Sequence, residues 1–345
     1  MLRRTFLAQC ALALERGRLD QAIAMSKKAA QEGVEWLAGA ARQGTDTTTW
    51  SAGKAKPDTV FLLASITKPM TAIAVMTLVA RKELTLADRV DKFIPEFRGG
   101  DRAKITVRHL LTHTSGLPDM LPENEALRKK HAPLSEFVAG TCKVPLLFAP
   151  GTQVKYQSMG ILLAAEIVER VTRKPLRDYL QTSLFQPLGM KNASLGMGGR
   201  RISDTAQCQV PATDDWHWNS TYWRNLGAPW GGAHANTDDI LRMLGYFLQP
   251  DARLFEPAVA RQMVTNQNEG LNDPWGLGFM VNGARFAKQC SKNTFGHWGS
   301  TGTIAWADPV SGASFVLLTT RPASDSRGTV LGPVSDAVAQ AVSKA

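Results

Sequence analysis

A serine and a lysine three positions apart, Ser65 and Lys68, are the pair in this chain best suited to chemistry. On a helix, this spacing places two side chains on one face, one turn from each other. A lysine amine without its extra proton can accept the hydroxyl proton of the serine and make it a nucleophile. The pair alone is weak evidence, because the same spacing recurs at Ser51 and Lys54.

The surroundings of the two pairs favour the second. Ser51 lies in a polar stretch that is followed by glycine and proline, which is typical of a turn. Ser65 follows the strand-like run 60–63 and precedes residues 69–80, whose apolar character nearly all round predicts a buried helix. The alternative is that Ser65 only caps this helix and that Lys68 is solvated in its first turn.

The composition is that of an ordinary globular protein. Of the 345 residues, 44% are hydrophobic and 20% are charged, so the chain can bury a large core as one domain or as two lobes. The net charge of +10 comes from scattered lysines and arginines rather than from a dense basic stripe. This distribution argues against nucleic acid as a partner. No apolar run approaches the roughly 18 residues of a membrane span, so no stable membrane insertion is expected.

The first residues allow two interpretations. Residues 1–7 include Arg3 and Arg4 and resemble a twin-arginine export signal, which would direct the protein to the periplasm. The apolar stretch behind them is at the short limit for such a signal, and the competing interpretation is an amphipathic first helix. We favour the helix and a cytoplasmic location, and treat residues 1–18 as an N-terminal extension.

The cysteines and histidines do not indicate a metal site. The cysteines lie far apart without a Cys-x-x-Cys pair, which argues against a zinc ribbon or a redox motif. His109 and His113 have no carboxylate at ligand spacing beside them, so no metal and no cofactor is predicted. Free, buried thiols are expected at Cys10, Cys142, Cys208 and Cys290.

Helical patterns dominate the middle of the chain, and strand patterns lie on both sides of it. A loop-rich, aromatic stretch separates the helical region from the later strands. Helices are predicted at 19–32, through most of 84–194, at 240–248 and at 334–344, and strands at 34–41, 45–52, 60–63, 276–281, 285–289, 303–307 and 314–320. This order predicts an α/β fold with a discontinuous sheet lobe, residues 19–83 and 232–345, and an inserted, mainly helical lobe, residues 84–231.

Four separated segments match, in order, motifs of a known family. They are residues 65–68 (SITK), 110–117 (LLTHTSGL), 156–163 (YQSMGILL) and 295–302 (FGHWGSTG), with softer matches at 186–190 and 231–239. The chain resembles the penicillin-binding and β-lactamase-like serine hydrolases, which include class C β-lactamases, D,D-peptidases and family VIII carboxylesterases. The resemblance implies a β-lactamase-like fold, in which a central antiparallel sheet is flanked by terminal helices.

The resemblance implies a role for each matched residue. Ser65 would form an acyl-enzyme, Lys68 would share the proton transfer, and Tyr156 would take the serine proton and later activate water. As a base, Lys68 requires a lowered pKa, which burial would supply, and its positive charge would in turn lower the pKa of Tyr156. The backbone N–H groups of Ser65 and Ser300 would form the oxyanion hole.

Two positions depart from the family pattern. His297 stands where a lysine meets the carboxylate of a penicillin, and Ser158 stands where an asparagine is usual. Both departures weaken the case for β-lactam hydrolysis, and the esterase branch of the family tolerates a histidine at the first position. We expect both residues to line the substrate site together with Trp298, Gly299 and Trp230.

The expected function is a serine hydrolase, most simply a carboxylesterase acting on small or medium apolar esters. One alternative is β-lactamase, D-aminopeptidase or amidase activity on an amide substrate at the same site. Another is a penicillin-binding-like sensor without turnover. The aromatic stretch 216–230 is expected either to pack between the lobes or to form a wall over an apolar substrate pocket.

Overall fold

The computed structural model of the protein describes residues 14–211 and 215–342. Residues 1–13 lie outside this range, and with them lies the segment on which the export-signal and first-helix interpretations depend. Cys10 lies outside it as well. Of the other cysteines, Cys142 and Cys208 are free and buried, whereas Cys290 is free and half-buried.

The centre of the molecule is an antiparallel sheet in the order β2-β1-β9-β8-β7-β6. The apolar run of β9 is buried along its whole length, because strands pair with both of its edges and helices cover both faces of the sheet. A short second sheet has the order β3-β5-β4, and its strand β4 packs on helix α7. The strands are β1 Trp36–Gln43, β2 Asp46–Gly53, β3 Phe61–Leu62, β4 Ser194–Leu195, β5 Ala233–Ala235, β6 Met280–Val281, β7 Phe295–Gly299, β8 Thr303–Asp308 and β9 Ala313–Thr319.

Helices cover both faces of the large sheet. The first and last of them, α1 and α13, pack on each other and share one core with the sheet. The opposite face packs on α10, and a larger core extends from there through α2 and α6. The helices are α1 Arg16–Gln31, α2 Thr67–Ala80, α3 Val107–Leu111, α4 Asn124–Lys129, α5 Leu134–Thr141, α6 Met159–Thr172, α7 Leu176–Leu180, α8 Gln186–Leu188, α9 Thr221–Leu226, α10 Thr237–Leu248, α11 Pro257–Met263, α12 Ala323–Ser326 and α13 Gly332–Ala341.

The predicted α/β class, with a central antiparallel sheet between terminal helices, is confirmed. The division into lobes at residues 83 and 231 stays a prediction. Within the described ranges, no helix combines the length and the apolar character needed to cross a membrane.

The predicted strands at 276–281 and 285–289 are the main errors of the sequence interpretation. Only Met280–Val281 is a strand, because the backbone N–H of Gly276 donates to the carbonyl of Phe279 and closes a turn. At 285–289 a turn begins at Asn282, which has a left-handed φ of 88° and whose side chain accepts from the N–H of Ala284. The apolar residues there are buried although the backbone is not extended. The alternation of apolar and polar residues in this segment therefore reflects burial and not strand pairing.

Candidate active site

Ser65 lies in a tight turn between β3 and α2. A 3₁₀ turn, Ala64–Ile66, carries it, and Ala64 just before it has a left-handed φ of 47°. An alanine in this region costs about 1 kcal/mol, so the surrounding contacts must hold the turn in place. Thr67 provides two of them: its hydroxyl donates to the Ala64 carbonyl at 2.7 Å and accepts from the Ala233 N–H at 3.0 Å. Ser65 itself remains half-exposed and open to a substrate.

Lys68 is completely buried in the first turn of α2. Its Nζ lies 3.1 Å from Ser65 Oγ and 3.0 Å from the carbonyl oxygen of Trp230. Burial lowers the pKa of Lys68 from 10.5 to about 7, and the negative charge of Asp119 offsets part of this effect. The alternative of a solvated lysine beside a mere capping serine is therefore wrong. Near neutral pH, much of this amine is free to accept a proton.

Tyr156 completes a three-residue cluster with Ser65 and Lys68. Lys68 Nζ lies 4.7 Å from the centre of its ring, and the Ser65 hydroxyl is near enough to favour its ionised form. Burial raises the pKa of Tyr156 above its ordinary value, and the nearby Ser65 hydroxyl offsets only part of the rise. The expectation that Lys68 lowers the pKa of Tyr156 is wrong, because burial of the phenol away from water has the largest effect on this pKa and raises it. Tyr156 is thus a phenol that can relay or donate a proton, and Lys68 is the better base.

The end of β7 lies against the segment that leads into Ser65. Thr301 and Thr303 donate side-chain hydrogen bonds to the carbonyls of Leu62 and Leu63, at 2.8 and 2.9 Å. A Cβ on Gly299 would lie only 2.3 Å from the Leu63 carbonyl oxygen, so a glycine is needed for this close approach. The arrangement brings the backbone that follows Gly299 beside the Ser65 turn. The oxyanion hole of Ser65 and Ser300 stays a prediction that this proximity supports.

His297 is buried and neutral. Its Nδ1 lies 2.6 Å from the carbonyl oxygen of Trp298, so Nδ1 carries the proton and Nε2 is left as a hydrogen-bond acceptor. Burial, assisted by the charge of Lys68, lowers the pKa of His297 to about 3. Nε2 has no protein partner in the described part of the chain, and the ring lies 6.0 Å from that of Tyr156. This residue therefore brings no positive charge to the site, and its unpartnered Nε2 is itself buried.

Two of the expected substrate-binding side chains point away from Ser65. Trp298 packs with the core under α1 and α13, because successive residues of a strand face opposite sides of the sheet. The Trp230 ring is 3% exposed and packs against Phe137 and Trp223, so this residue reaches the site through its carbonyl oxygen alone. Of the two roles considered for the aromatic stretch, packing is the one that Trp223 and Trp230 fulfil.

Asp119 is a site residue that the sequence interpretation missed. Ser158, expected to meet the substrate, instead donates from its hydroxyl to Asp119 Oδ1 at 2.6 Å. The Ser158 N–H also donates to the Asp119 carbonyl, at 3.3 Å. The charge of this exposed aspartate raises the pKa of both Lys68 and Tyr156. Its position directly after the matched segment 110–117 was the one signal that could have revealed it.

His113 positions the tyrosine from behind. Its Nδ1 accepts from the backbone N–H of Gln157, and its ring lies 4.9 Å from that of Tyr156 and 4.3 Å from that of Trp275. Burial lowers the pKa of His113 well below its ordinary value. In the described ranges, no group of three or more His, Cys, Asp or Glu residues is arranged to hold a metal ion.

The pH dependence of hydrolysis should report on Lys68. We expect kcat/KM for an uncharged ester to rise through pH about 7, because only the neutral amine accepts the serine proton. Below this value it should fall about tenfold per pH unit. The pH dependence of kcat/KM is measured from initial rates between about pH 5 and 9, corrected for spontaneous hydrolysis of the ester. A flat profile between about pH 6 and 8, with the enzyme intact at each pH, would contradict the assignment of Lys68 as base.

Comparison with known proteins agrees with this geometry. A family model described as Beta-lactamase matches residues 15–340. Esterase EstB of Burkholderia gladioli is 38% identical over 152 residues, which cover 40% of this chain and 38% of that esterase. A putative D-alanyl-D-alanine carboxypeptidase of Escherichia coli (strain K12) is 29% identical over 313 residues, 79% of this chain and 71% of that protein.

Solved structures share the fold. EstCE1, described as a hydrolase with promiscuous acyltransferase activity, superposes with a TM-score of 0.77 at 20% identity, over 94% of this chain and 98% of its own. The D-amino acid amidase of Ochrobactrum anthropi SV3, complexed with L-phenylalanine amide, gives 0.74 at 24% identity, over the same shares of the two chains. At these identities, the likeness concerns the fold.

Proposed function

Because the chain belongs to the Beta-lactamase family and is a serine hydrolase, we propose that it is a carboxylesterase for small or medium apolar esters, acting through an acyl-enzyme on Ser65. Members of this family act on ester or amide substrates, so the class of substrate is the open question. As an enzyme of this family, the protein is not the turnover-free sensor considered as an alternative.

The proposed reaction uses three side chains. The Ser65 hydroxyl loses its proton to Lys68 Nζ, 3.1 Å away, while its oxygen attacks the ester carbonyl. The bond from the carbonyl carbon to the alcohol oxygen then breaks, and the departing alkoxide takes a proton from Tyr156, which regains one from Lys68. In the second half, Lys68 takes a proton from a water molecule whose oxygen attacks the acyl carbonyl, and a proton returns through Tyr156 to Ser65 Oγ as the acyl bond breaks. The backbone N–H groups of Ser65 and Ser300 are proposed to stabilise the oxyanion in both halves.

The neutral state of His297 is the observation that carries the preference for esters. A cation at this position would attract the carboxylate of a penicillin, whereas a neutral imidazole does not. Ser158 gives a second reason, since its hydroxyl is already engaged by Asp119. An apolar ester needs neither contact.

A substrate panel tests the proposal. We expect kcat/KM for p-nitrophenyl butyrate to exceed that for a chromogenic cephalosporin by about tenfold to a hundredfold, since one missing charged contact is worth roughly 1.5–3 kcal/mol. Equal or reversed values would contradict the proposed esterase function and favour the β-lactamase alternative, and faster turnover of a D-alanine anilide would favour the amidase alternative.

A fluorophosphonate probe followed by peptide mass spectrometry should label Ser65 and leave Ser51 unlabelled.

A further inference from the structure

We propose that a cavity at the edge of the large sheet binds an organic anion with an apolar tail, of the medium-chain alkanoate class. This edge cavity has a volume of about 590 Å³ and is lined by residues from the end of α10, from α11 and from β6. Proteins bind small molecules in cavities of about 300–1,000 Å³, so its size is suitable. Phe247, Val264 and Val281 line its buried side, and Arg261 and Lys292 line its exposed side.

The floor of the edge cavity is apolar and preformed. Phe247, Val264 and Val281 are buried and belong to the larger hydrophobic core, so the fold itself holds them in place. Pro274 and Pro309 line the cavity as well, and the fixed φ of proline restricts the motion of their segments. An alkyl chain placed on this floor would exchange water for apolar contacts, and each methylene group would add to the affinity.

The exposed side of the edge cavity is positively charged. Neither the Arg261 nor the Lys292 side chain has an ion-pair or hydrogen-bond partner within residues 14–211 and 215–342. Asn282 Oδ1 accepts from the Ala284 N–H at 3.3 Å, which leaves the amide NH₂ of Asn282 as a donor. No aspartate or glutamate occurs among the described residues that line the cavity. Two cations and an N–H donor beside an apolar floor are complementary to a carboxylate with an alkyl tail.

The edge cavity is separate from the site around Ser65. Its residue Val281 pairs with Phe295 at the start of β7, whereas the Ser65 turn lies against Gly299 at the other end of this strand. Four residues of extended chain separate the two ends, a distance of about 13 Å. An occupant of the cavity therefore leaves Ser65 accessible.

The proposed ligand also suits the proposed function, because hydrolysis of an apolar ester releases an acid of this class. Pro274 lines the cavity, and the ring of the next residue, Trp275, lies 5.8 Å from that of Tyr156. The cavity would thus hold the acid product against the segment that packs on the catalytic phenol. The binding itself does not require the reaction, and it can be measured with Ser65 blocked.

Binding of octanoate to the fluorophosphonate-treated enzyme tests the proposal, since the probe closes the site at Ser65. Isothermal titration calorimetry should give a Kd of about 1 mM or below. Acetate lacks the tail and octan-1-ol lacks the charge, so each should bind at least about tenfold more weakly. Absence of octanoate binding up to about 10 mM, or equal affinity for octan-1-ol, would overturn the inference.

Substitution of the two cations should locate the bound octanoate. Arg261→Gln and Lys292→Gln should each weaken its binding about fivefold, because the carboxylate loses a partly exposed charged contact. Lys288→Gln removes an exposed cation that does not line the cavity and should leave the Kd within about twofold of the wild type. Equal affinity in all three variants means that octanoate is held elsewhere, and the inference is then wrong.

The outcome is independent of the esterase assignment. If the fluorophosphonate leaves Ser65 unlabelled, the proposed function fails, while the comparison of the three variants still decides whether the edge cavity binds octanoate. If Ser65 is labelled and the variants bind octanoate alike, the inference fails and the proposed function stands.

Discussion

Ser65→Ala should lower kcat/KM for p-nitrophenyl butyrate by about four orders of magnitude, because the acyl-enzyme cannot form without the hydroxyl. The remaining rate would come from substrate binding and from backbone donors around the oxyanion. Since Ser65 is half-exposed and the side-chain hydrogen bond of its hydroxyl among described residues comes from Lys68, the variant should fold. Steady-state rates on highly purified protein give kcat/KM, and burst kinetics show whether an acyl-enzyme forms.

The second Ser-x-x-Lys pair supplies a control within the same chain. Ser51 lies in β2, paired with Ala38 of β1 and remote in the sheet from β7. Ser51→Ala should therefore keep kcat/KM within about twofold of the wild type, as a surface substitution usually does. Loss of activity in Ser51→Ala, or near-normal activity in Ser65→Ala, would overturn the assignment of the nucleophile.

Lys68→Met should reduce kcat/KM by about a thousandfold, and by more than Tyr156→Phe, which should cost about a hundredfold. The order follows from the two pKa shifts: burial makes Lys68 a base near neutral pH, whereas it keeps Tyr156 protonated. Methionine fills the lysine volume without a charge, so packing around α2 is maintained. Steady-state rates at about pH 8, where most of the wild-type Lys68 is neutral, give the comparison.

The relative sizes of these two effects are the informative result. A larger loss in Tyr156→Phe than in Lys68→Met would make Tyr156 the principal base and reverse the roles of the two residues. Far-UV circular dichroism spectra like that of the wild type, together with unchanged thermal unfolding cooperativity, separate lost chemistry from lost folding in both variants.

Local patterns made much of this site predictable. The Ser65–Lys68 spacing and the apolar run behind it are short-range properties. The structure has Lys68 in the first turn of a buried helix and Ser65 in the 3₁₀ turn just before it, with the two side chains hydrogen-bonded. Similarly, the strands predicted at 303–307 and 314–320 pair as the neighbouring strands β8 and β9. The position of Tyr156 came from a family motif and not from periodicity.

What sequence did not reveal depends on contacts between distant segments. Asp119 reaches the site only because the loop after α3 folds back on Ser158, 39 residues later. The orientation of Trp298 followed from strand alternation but was obscured by its place beside His297 in one motif. Predicting the rise in the pKa of Tyr156 requires the extent of its burial from water, and the spacing of residues in the sequence does not give that extent.

Burial of Lys68 also couples folding to proton uptake. Its pKa is about 7 in the folded protein against an ordinary 10.5, so between these values an unfolding chain takes up a proton at this amine. The contribution of Lys68 to the free energy of unfolding is therefore greatest above 10.5 and diminishes as the pH falls to about 7. Alkaline conditions thus favour the folded state at this residue and the reactive form of the enzyme together, whereas mild acid weakens both.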